Sequence, residues 1–443
     1  MKMSFSEEEY KRKFISPEQV AQMVKNGDRL AFTMGREAFA CGLAISARKE
    51  ELKDVKIYAA TPTFDFGWYD AGWEDSFAVT ISVPTATCQE AIDNHRCDIW
   101  AAVPIEKMEP DDIPDILLTE VSPPDEKGFC SFGSSLWNKK KQIHRARQAN
   151  KVVIAEVNSN LIRTYGDNFI HCSEIDYFVE HISSGHTAGS GSLAGRALKE
   201  PERYLEDIAG YVNGLIRDGD TIQIGVGRTT EPLVKLGLFK GKHDIGFHTE
   251  ATPPGIISLV EEGVINGRLK TLHPGKVIAT SLGGSTQKEM DWVNMNPLFW
   301  LVDVDYLEDI RVIAANDNMT AINNALTIDL TGQYTAQGLG TQLLSAPGGQ
   351  QPFVFGAWLS KGGRPITVLP STARNGTVSR IVPFLPPGTS VTIPGSYTYY
   401  VVTEYGIANL RGKTSRQKAE ELISIAHPDF RAELKKEAKR LWG

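Results

Sequence analysis

Apolar and polar positions along the chain fall into short hydrophobic runs separated by turn residues and amphipathic stretches. Runs at Arg29 to Met34, Val55 to Ala60, Ala78 to Val83, Ile99 to Pro104, Ile116 to Val121 and Val152 to Val157 have the length and residue types of buried strands. Ser16-Pro17-Glu18-Gln19 is a capping box with proline at the first helical position, and it opens a helix that ends at Asn26-Gly27. Strands alternating with helices predict an α/β fold with a mainly parallel sheet and helices on both faces.

The plan occurs twice. A helix ending at Asn26-Gly27-Asp28, a strand Arg29 to Met34 and the turn Gly35-Arg36 are matched by a helix from Glu202 to Arg217, Asp218-Gly219-Asp220, a strand Thr221 to Ile224 and Gly225-Val226-Gly227-Arg228. Duplication of one open α/β domain accounts for the match. Between Ser183 and Glu200 the composition shifts to Gly, Ser and Ala. Gly189-Ser190-Gly191-Ser192-Leu193-Ala194 resembles a dinucleotide fingerprint only loosely, because no strand precedes it, so the stretch reads as a linker. The expected division is 1–185, a linker 186–200 and 201–443.

Composition narrows the partners. A chain of 443 residues with 41% hydrophobic content fits two globular domains. A net charge of −7 without a dominant basic block argues against nucleic acid or an anionic membrane. The basic run Lys139-Lys140-Lys141 reads as an exposed helix face. Five cysteines with no CxxC pair predict free thiols and no metal site. The charged start, Met1 to Arg12, has no apolar signal core, and no run is long enough to span a bilayer. A cytoplasmic enzyme is expected, as a homo-oligomer, dimer or tetramer.

The chemistry is expected in the second half. Asp244 to Glu250 reads as a strand ending in a carboxylate, with Pro253-Pro254 opening the next helix. Ligands of open α/β sheets gather at that strand edge. Gly225-Val226-Gly227-Arg228-Thr229 offers close backbone approach to an anion at another strand end. Ser345-Ala346-Pro347-Gly348-Gly349-Gln350 offers N–H groups that can polarise a carbonyl, and Lys361 stands beside a tight turn.

His248-Thr249-Glu250, Asp329-Leu330-Thr331-Gly332-Gln333, Gly348-Gly349-Gln350, Ser360-Lys361-Gly362-Gly363 and Val401-Val402-Thr403-Glu404-Tyr405-Gly406-Ile407-Ala408 occur together and in this order. In the first half stand Ser122-Pro123-Pro124-Asp125, Gly128-Phe129-Cys130-Ser131-Phe132-Gly133 and Val153-Ile154-Ala155-Glu156-Val157-Asn158. As a set these resemble the acetyl-CoA hydrolase/transferase family over nearly the whole chain. They are nearest to class I CoA-transferases of the 4-hydroxybutyrate and butyryl-CoA:acetate types.

The resemblance implies two similar α/β domains and transfer of coenzyme A between a small acyl-CoA and a small carboxylate. Glu250 would be the nucleophile, carrying CoA as a glutamyl thioester. Gly225, Val226, Gly227, Arg228, Thr229, Ser345, Gly349 and Lys361 would contact CoA, and the Gly349 N–H would also meet an oxyanion. Arg36, Glu308, Gly348 and Gln350 would line the acyl site. Coenzyme A enters as substrate, with no tightly bound cofactor and no metal. Glu404, also at a strand end, is the rival nucleophile.

The chain departs from the family in two places. Glu308 stands where relatives often carry asparagine, and Ala346-Pro347 precedes the glycines where they read Gly-Val. An acyl-CoA hydrolase using the same glutamate is the alternative reading, and a non-catalytic ligand-binding protein on the same fold is the alternative of another class.

Overall fold

The computed structural model describes residues 7–35, 37–100, 113–183 and 202–442. The chain forms two compact units, Met1–Arg196 with Thr280–Asp305, and Ala197–Ala279 with Tyr306–Gly443.

In the first unit seven strands form one sheet: β1 (Arg29–Phe32), β2 (Val55–Ala59), β3 (Phe77–Ile81), β4 (Cys97–Ile99), β5 (Ile116–Val121), β6 (Val152–Val157) and β7 (Tyr177–Glu180). Their order is β7-β6-β5-β1-β2-β3-β4. All pairings are parallel. Leu30, Phe32, Ile57, Val79 and Leu118 from the strands pack with Val20 and Ala21 of α1 (Pro17–Met23) and with Cys41 and Ile45 of α2 (Phe39–Ser46). The expected capping box at α1 is present, with Ser16 Oγ accepting from the Gln19 N–H and the Gln19 side chain accepting from the Ser16 N–H.

The basic run differs from its expectation. Lys139 opens α3 (Lys139–Gln148) and is 1% exposed, with Nζ 5.9 Å from the Phe132 ring centroid. Lys141 pairs with Asp305. The aliphatic stems cover apolar surface and the run is a packed face, not a solvated one.

Contiguous halves were expected, and the structure instead returns residues 280–305 to the first unit. Trp300 and Leu301 pair in parallel with Tyr165 and Gly166. The Leu136 N–H donates to the Thr280 carbonyl at 2.9 Å, and the Leu282 N–H to that of Ser134 at 2.8 Å. Gly166 has φ +97°, and a Cβ there would lie 2.2 Å from the Leu301 carbonyl oxygen, so this junction requires glycine. The expected linker 186–200, and residues 101–104 of the expected fourth strand, lie outside the described residues.

The second unit opens with α4 (Tyr204–Leu215) and contains β8 (Thr221–Ile224), β9 (Gly246–Ala251), β10 (Val277–Ser281, its last two residues assigned to the first unit), β11 (Met319–Asn324), β12 (Arg364–Val368), β13 (Tyr400–Thr403) and β14 (Gly406–Asn409), in the order β14-β13-β12-β11-β8-β9-β10. β14 runs antiparallel to β13. In each unit the first strand lies in mid-sheet and the second and third lead outward on one side, continued by β4 in the first unit, while the remaining strands fill the other side.

The turn before each central strand repeats in detail. Gly27 and Gly219 have φ +78° and +80°. Asp28 accepts the Lys25 N–H and Asp220 the Arg217 N–H, each at 2.8 Å. The duplicated pattern in the sequence is thus a duplicated winding in the fold. No helix among the described residues is long and apolar enough to cross a membrane.

Candidate active site

Side chains alternate along a strand, so His248 and Glu250 project from the same face of β9. Phe247 points into the core at 0% exposure, and Thr249 donates its hydroxyl to the Ile224 carbonyl at 3.2 Å. Parallel pairing of Thr221 with Gly246 and Ile222 with Phe247, continued along the strands, brings Gly225 beside Glu250. The chain then turns at Thr252–Gly255 into α6 (Ile256–Glu261). Pro253 and Pro254 occupy that turn and not the first helical turn, because Gly255, left-handed at φ +95°, is the N-cap.

The loop expected to carry N–H donors reaches Glu250. Gly348 is left-handed at φ +53°, and Gly349 caps α7 (Gln350–Leu359). The Gly349 backbone lies against the Glu250 carboxylate, close enough for its N–H to favour the ionised form. A Cβ on Gly349 would lie 2.7 Å from Glu250 Oε2 and 2.6 Å from Glu308 Oε1. No side chain fits there, and both carboxyl groups converge on this one glycine.

The two carboxyls are not equivalent. Glu308 is 0% exposed and neither of its oxygens meets a well-formed hydrogen-bond partner among the described residues. Burial first, then the charge of Glu250, push its pKa well above the ordinary range. Glu250 keeps a partial opening to solvent. Burial raises its pKa too, while the Gly349 N–H lowers it. The contact between the carboxyls falls short of ideal hydrogen-bond geometry yet is close enough to link their titrations. Burial and mutual repulsion thus oppose ionisation of both carboxyls, and of Glu308 the more strongly.

His248 was not expected to matter. Its Nε2 lies 2.9 Å from the carbonyl of Leu307, the residue before Glu308. Desolvation, and secondarily Lys270, push its pKa down to about 3, so the ring is neutral and Nε2 carries the donated proton. The ring also meets Phe353 of α7 edge-on, centroids 6.1 Å apart. One side chain thus ties β9 to the segment bearing Glu308 and to the helix beginning at Gly349. A polar residue two places before the carboxylate on an otherwise apolar strand was the available signal.

The other expected residues divide. Gly225 follows β8, where a Cβ would lie 2.4 Å from Asn323 Oδ1. Arg228 is exposed and Thr229 half-buried, in a turn leading to α5 (Pro232–Lys235), a single helical turn. Ser345 and Val226 are partly exposed. The Gln350 amide donates to the Asn324 carbonyl at 2.8 Å, fastening α7 to the end of β11.

Lys361 is not brought to this cluster. It lies beyond the far end of α7, whose ten residues rise about 15 Å, and its Nζ sits 3.3 Å from Asp317. Glu404 has both oxygens engaged by Ser371, the hydroxyl at 2.5 Å and the N–H at 2.9 Å. That engagement leaves Glu250 the freer carboxylate. Arg36 lies outside the described residues.

A partly accessible carboxylate beside a second, buried carboxyl and the backbone of a glycine is equipped for nucleophilic acyl chemistry. Comparison with known proteins agrees. Residues 1–184 match the acetyl-CoA hydrolase/transferase N-terminal domain and residues 285–438 its C-terminal domain. The 4-hydroxybutyrate coenzyme A transferase of Clostridium kluyveri is 38% identical over 98% of this chain and 99% of its own length. The crystal structure of RipA from Yersinia pestis superposes with a TM-score of 0.87 at 30% identity, covering 98% of each chain. A 4-hydroxybutyrate CoA-transferase from Porphyromonas gingivalis gives a TM-score of 0.78 at 31% identity, covering 98% of this chain and 99% of that one. By sequence along nearly its whole length, and by fold, the chain belongs to the acetyl-CoA hydrolase/transferase family and is a CoA-transferase.

Proposed function

We propose that the protein moves coenzyme A between a small acyl-CoA and a small carboxylic acid, of two to five carbons, through a thioester on Glu250. The observation that carries this reading is the Glu250 carboxylate itself, open to solvent on one side and set against the Gly349 backbone.

Glu250 attacks the acyl carbon of the thioester, and the C–S bond breaks to give a mixed anhydride and the CoA thiolate. The thiolate attacks the Glu250 carbonyl carbon, and the first acid leaves as a carboxylate. Glu250 now carries CoA. An incoming carboxylate reverses the two steps and departs as the new acyl-CoA. Positioning supplies much of the rate, since a carboxylate is a weak nucleophile in water. The loop Gly225 to Thr229 and Ser345 are the proposed CoA contacts, supported by their place at strand ends beside Glu250 and Gly349. Gly348 would face the acyl group.

Free cysteines at all five positions fit a reducing cytoplasm, and assembly of identical copies is the expected quaternary form. The test is exchange between acetyl-, butyryl-, 4-hydroxybutyryl- and succinyl-CoA and a panel of acids. Intact-mass analysis after acyl-CoA alone should show a CoA adduct on Glu250. Glu250→Ala should show neither exchange nor adduct. CoA release at the same rate with and without added acid would instead establish hydrolysis.

A further inference from the structure

His248 is a buried polar side chain of β9 that reaches out of its own sheet. Gln223 of β8 and Asn323 of β11 satisfy each other instead, Gln223 Nε2 donating to Asn323 Oδ1 at 3.1 Å and Asn323 Nδ2 to Gln223 Oε1 at 2.9 Å. The His248 ring is 1% exposed, and its Nδ1 has no hydrogen-bond partner among the described residues. A leucine would fill this apolar setting without that loss, so what distinguishes histidine here is the bond from Nε2 to the Leu307 carbonyl at 2.9 Å.

That carbonyl belongs to the planar peptide joining Leu307 to Glu308, so fixing it fixes where the Glu308 side chain departs. The edge of the ring acts on the other wall of the site. It meets Phe353, whose N–H donates to the Gly349 carbonyl at 3.1 Å, so the ring braces the helical turn that sets Gly349 against Glu250. Glu250 projects from the same face of β9, two residues on. Both neighbours of its carboxylate are thus referred to one ring on the strand that carries it.

We propose that His248 is a positioning residue for coenzyme A transfer: by bonding the Leu307 carbonyl and bracing Phe353, it keeps Glu308 and Gly349 at the spacing from β9 that aims the Glu250 carboxylate at the acyl carbon. This rests on the function proposed above. No proton and no bond to substrate passes through the ring. Its Nε2 is committed to Leu307, while on its other flank Lys270 donates to the carbonyls of Phe247 and Lys276 at 2.8 and 3.3 Å, and His273 Nε2 lies 2.6 Å from the Tyr306 hydroxyl.

The test compares His248→Phe and His248→Gln with the wild type, using whichever of acetyl-, butyryl-, 4-hydroxybutyryl- or succinyl-CoA supports exchange. Phenylalanine keeps a ring against Phe353 and loses the N–H, so kcat should fall about 10- to 100-fold, the cost of displacing a reacting group by about 1 Å. KM for the thioester should stay within about 3-fold. Rapid quench should show the CoA adduct on Glu250 forming more slowly by the same factor as kcat. Glutamine carries an amide N–H at the reach of Nε2 and should return kcat to within about 5-fold of wild type. The pH profile of kcat should keep its shape in both variants, since the ring does not titrate in turnover. Phe353→Leu removes the brace without touching His248, and should lower kcat about 3- to 10-fold, which keeps the test open if His248→Phe does not fold. An adduct forming at the wild-type rate in His248→Phe or Phe353→Leu, a loss in His248→Gln equal to that in His248→Phe, or a limb of the pH profile that disappears, overturns the proposal. Wild type that forms no adduct from any of the four thioesters overturns the underlying function as well, which separates the two failures.

Discussion

Each unit holds a pair of buried or half-buried glutamates, and the two pairs are furnished in opposite ways. In the first, Glu120 on β5 and Glu156 on β6 stand in register on adjacent parallel strands, 2% and 0% exposed. Asn158 Nδ2 donates to Glu120 at 2.8 Å, and the Cys41 N–H to Glu156 at 2.8 Å. His181 Nδ1 lies 3.3 Å from Glu156 and 3.5 Å from Glu120. In the second unit, Glu250 and Glu308 crowd the backbone of Gly349, neither Glu308 oxygen has a hydrogen-bond partner among the described residues, and Glu250 opens to water. The same residue type is scaffold where its hydrogen-bonding capacity is filled and reagent where it is left incomplete. A buried carboxylate is therefore a poor marker of function by itself, and the count of its donors is a better one.

Amide substitution separates the pairs most sharply. Glu250→Gln should slow exchange by at least about 10⁴-fold, because the proposed nucleophile is gone. Glu156→Gln keeps an oxygen for the Cys41 N–H and should leave exchange within about 3-fold. A large loss from Glu156→Gln in a folded enzyme would erase the distinction. Next in size, Gly349→Ala should lower kcat by about 100-fold or more, since its Cβ displaces both carboxyls. Circular dichroism should show the fold retained.

Filled capacity also predicts a stability effect. Glu156→Leu strands the Cys41 N–H and removes a partner of His181, and should cost about 2 to 3 kcal/mol in urea unfolding.

The smallest effect is a pH dependence. The folded pKa of Glu308 is raised well above the usual 4.5, so the folded state holds a proton that the unfolded chain has released. That stability is complete below the usual value and is lost as pH climbs through the folded one. Glu156 is raised less, also by burial, with the same sign. Unfolding midpoints at about pH 5 and about pH 8.5 should therefore converge in Glu308→Gln and converge less in Glu156→Gln.

Much of the frame was legible. Ile116 to Val121 and Val152 to Val157 were read to the residue because both faces of these strands are buried, so apolar residues dominate them on both sides of Glu120 and Glu156. Glu250 was found through its place at a strand end, and Gly349 through its glycine-rich loop. Contact between them was not legible, because the empty space over Gly349 is a property of three dimensions. Lys361 was expected to contact CoA from the resemblance and from its place beside a tight turn, and the ten-residue helix after Gly349 sets it far from Glu250. The return of residues 280–305 to the first unit depends on pairing with Tyr165 and Gly166, which no local pattern encodes.

That return governs how the protein is made. The strand partner of Tyr165 and Gly166 lies at Trp300 and Leu301, so the first unit stays incomplete on the ribosome until the chain has grown past residue 300 of 443. By then β8 and β9 have also been synthesised, and the two units mature as interleaved products of translation. A fragment cut at the apparent boundary near residue 196 would lack this piece, and separate expression of the two halves should give aggregation-prone material instead of independent domains.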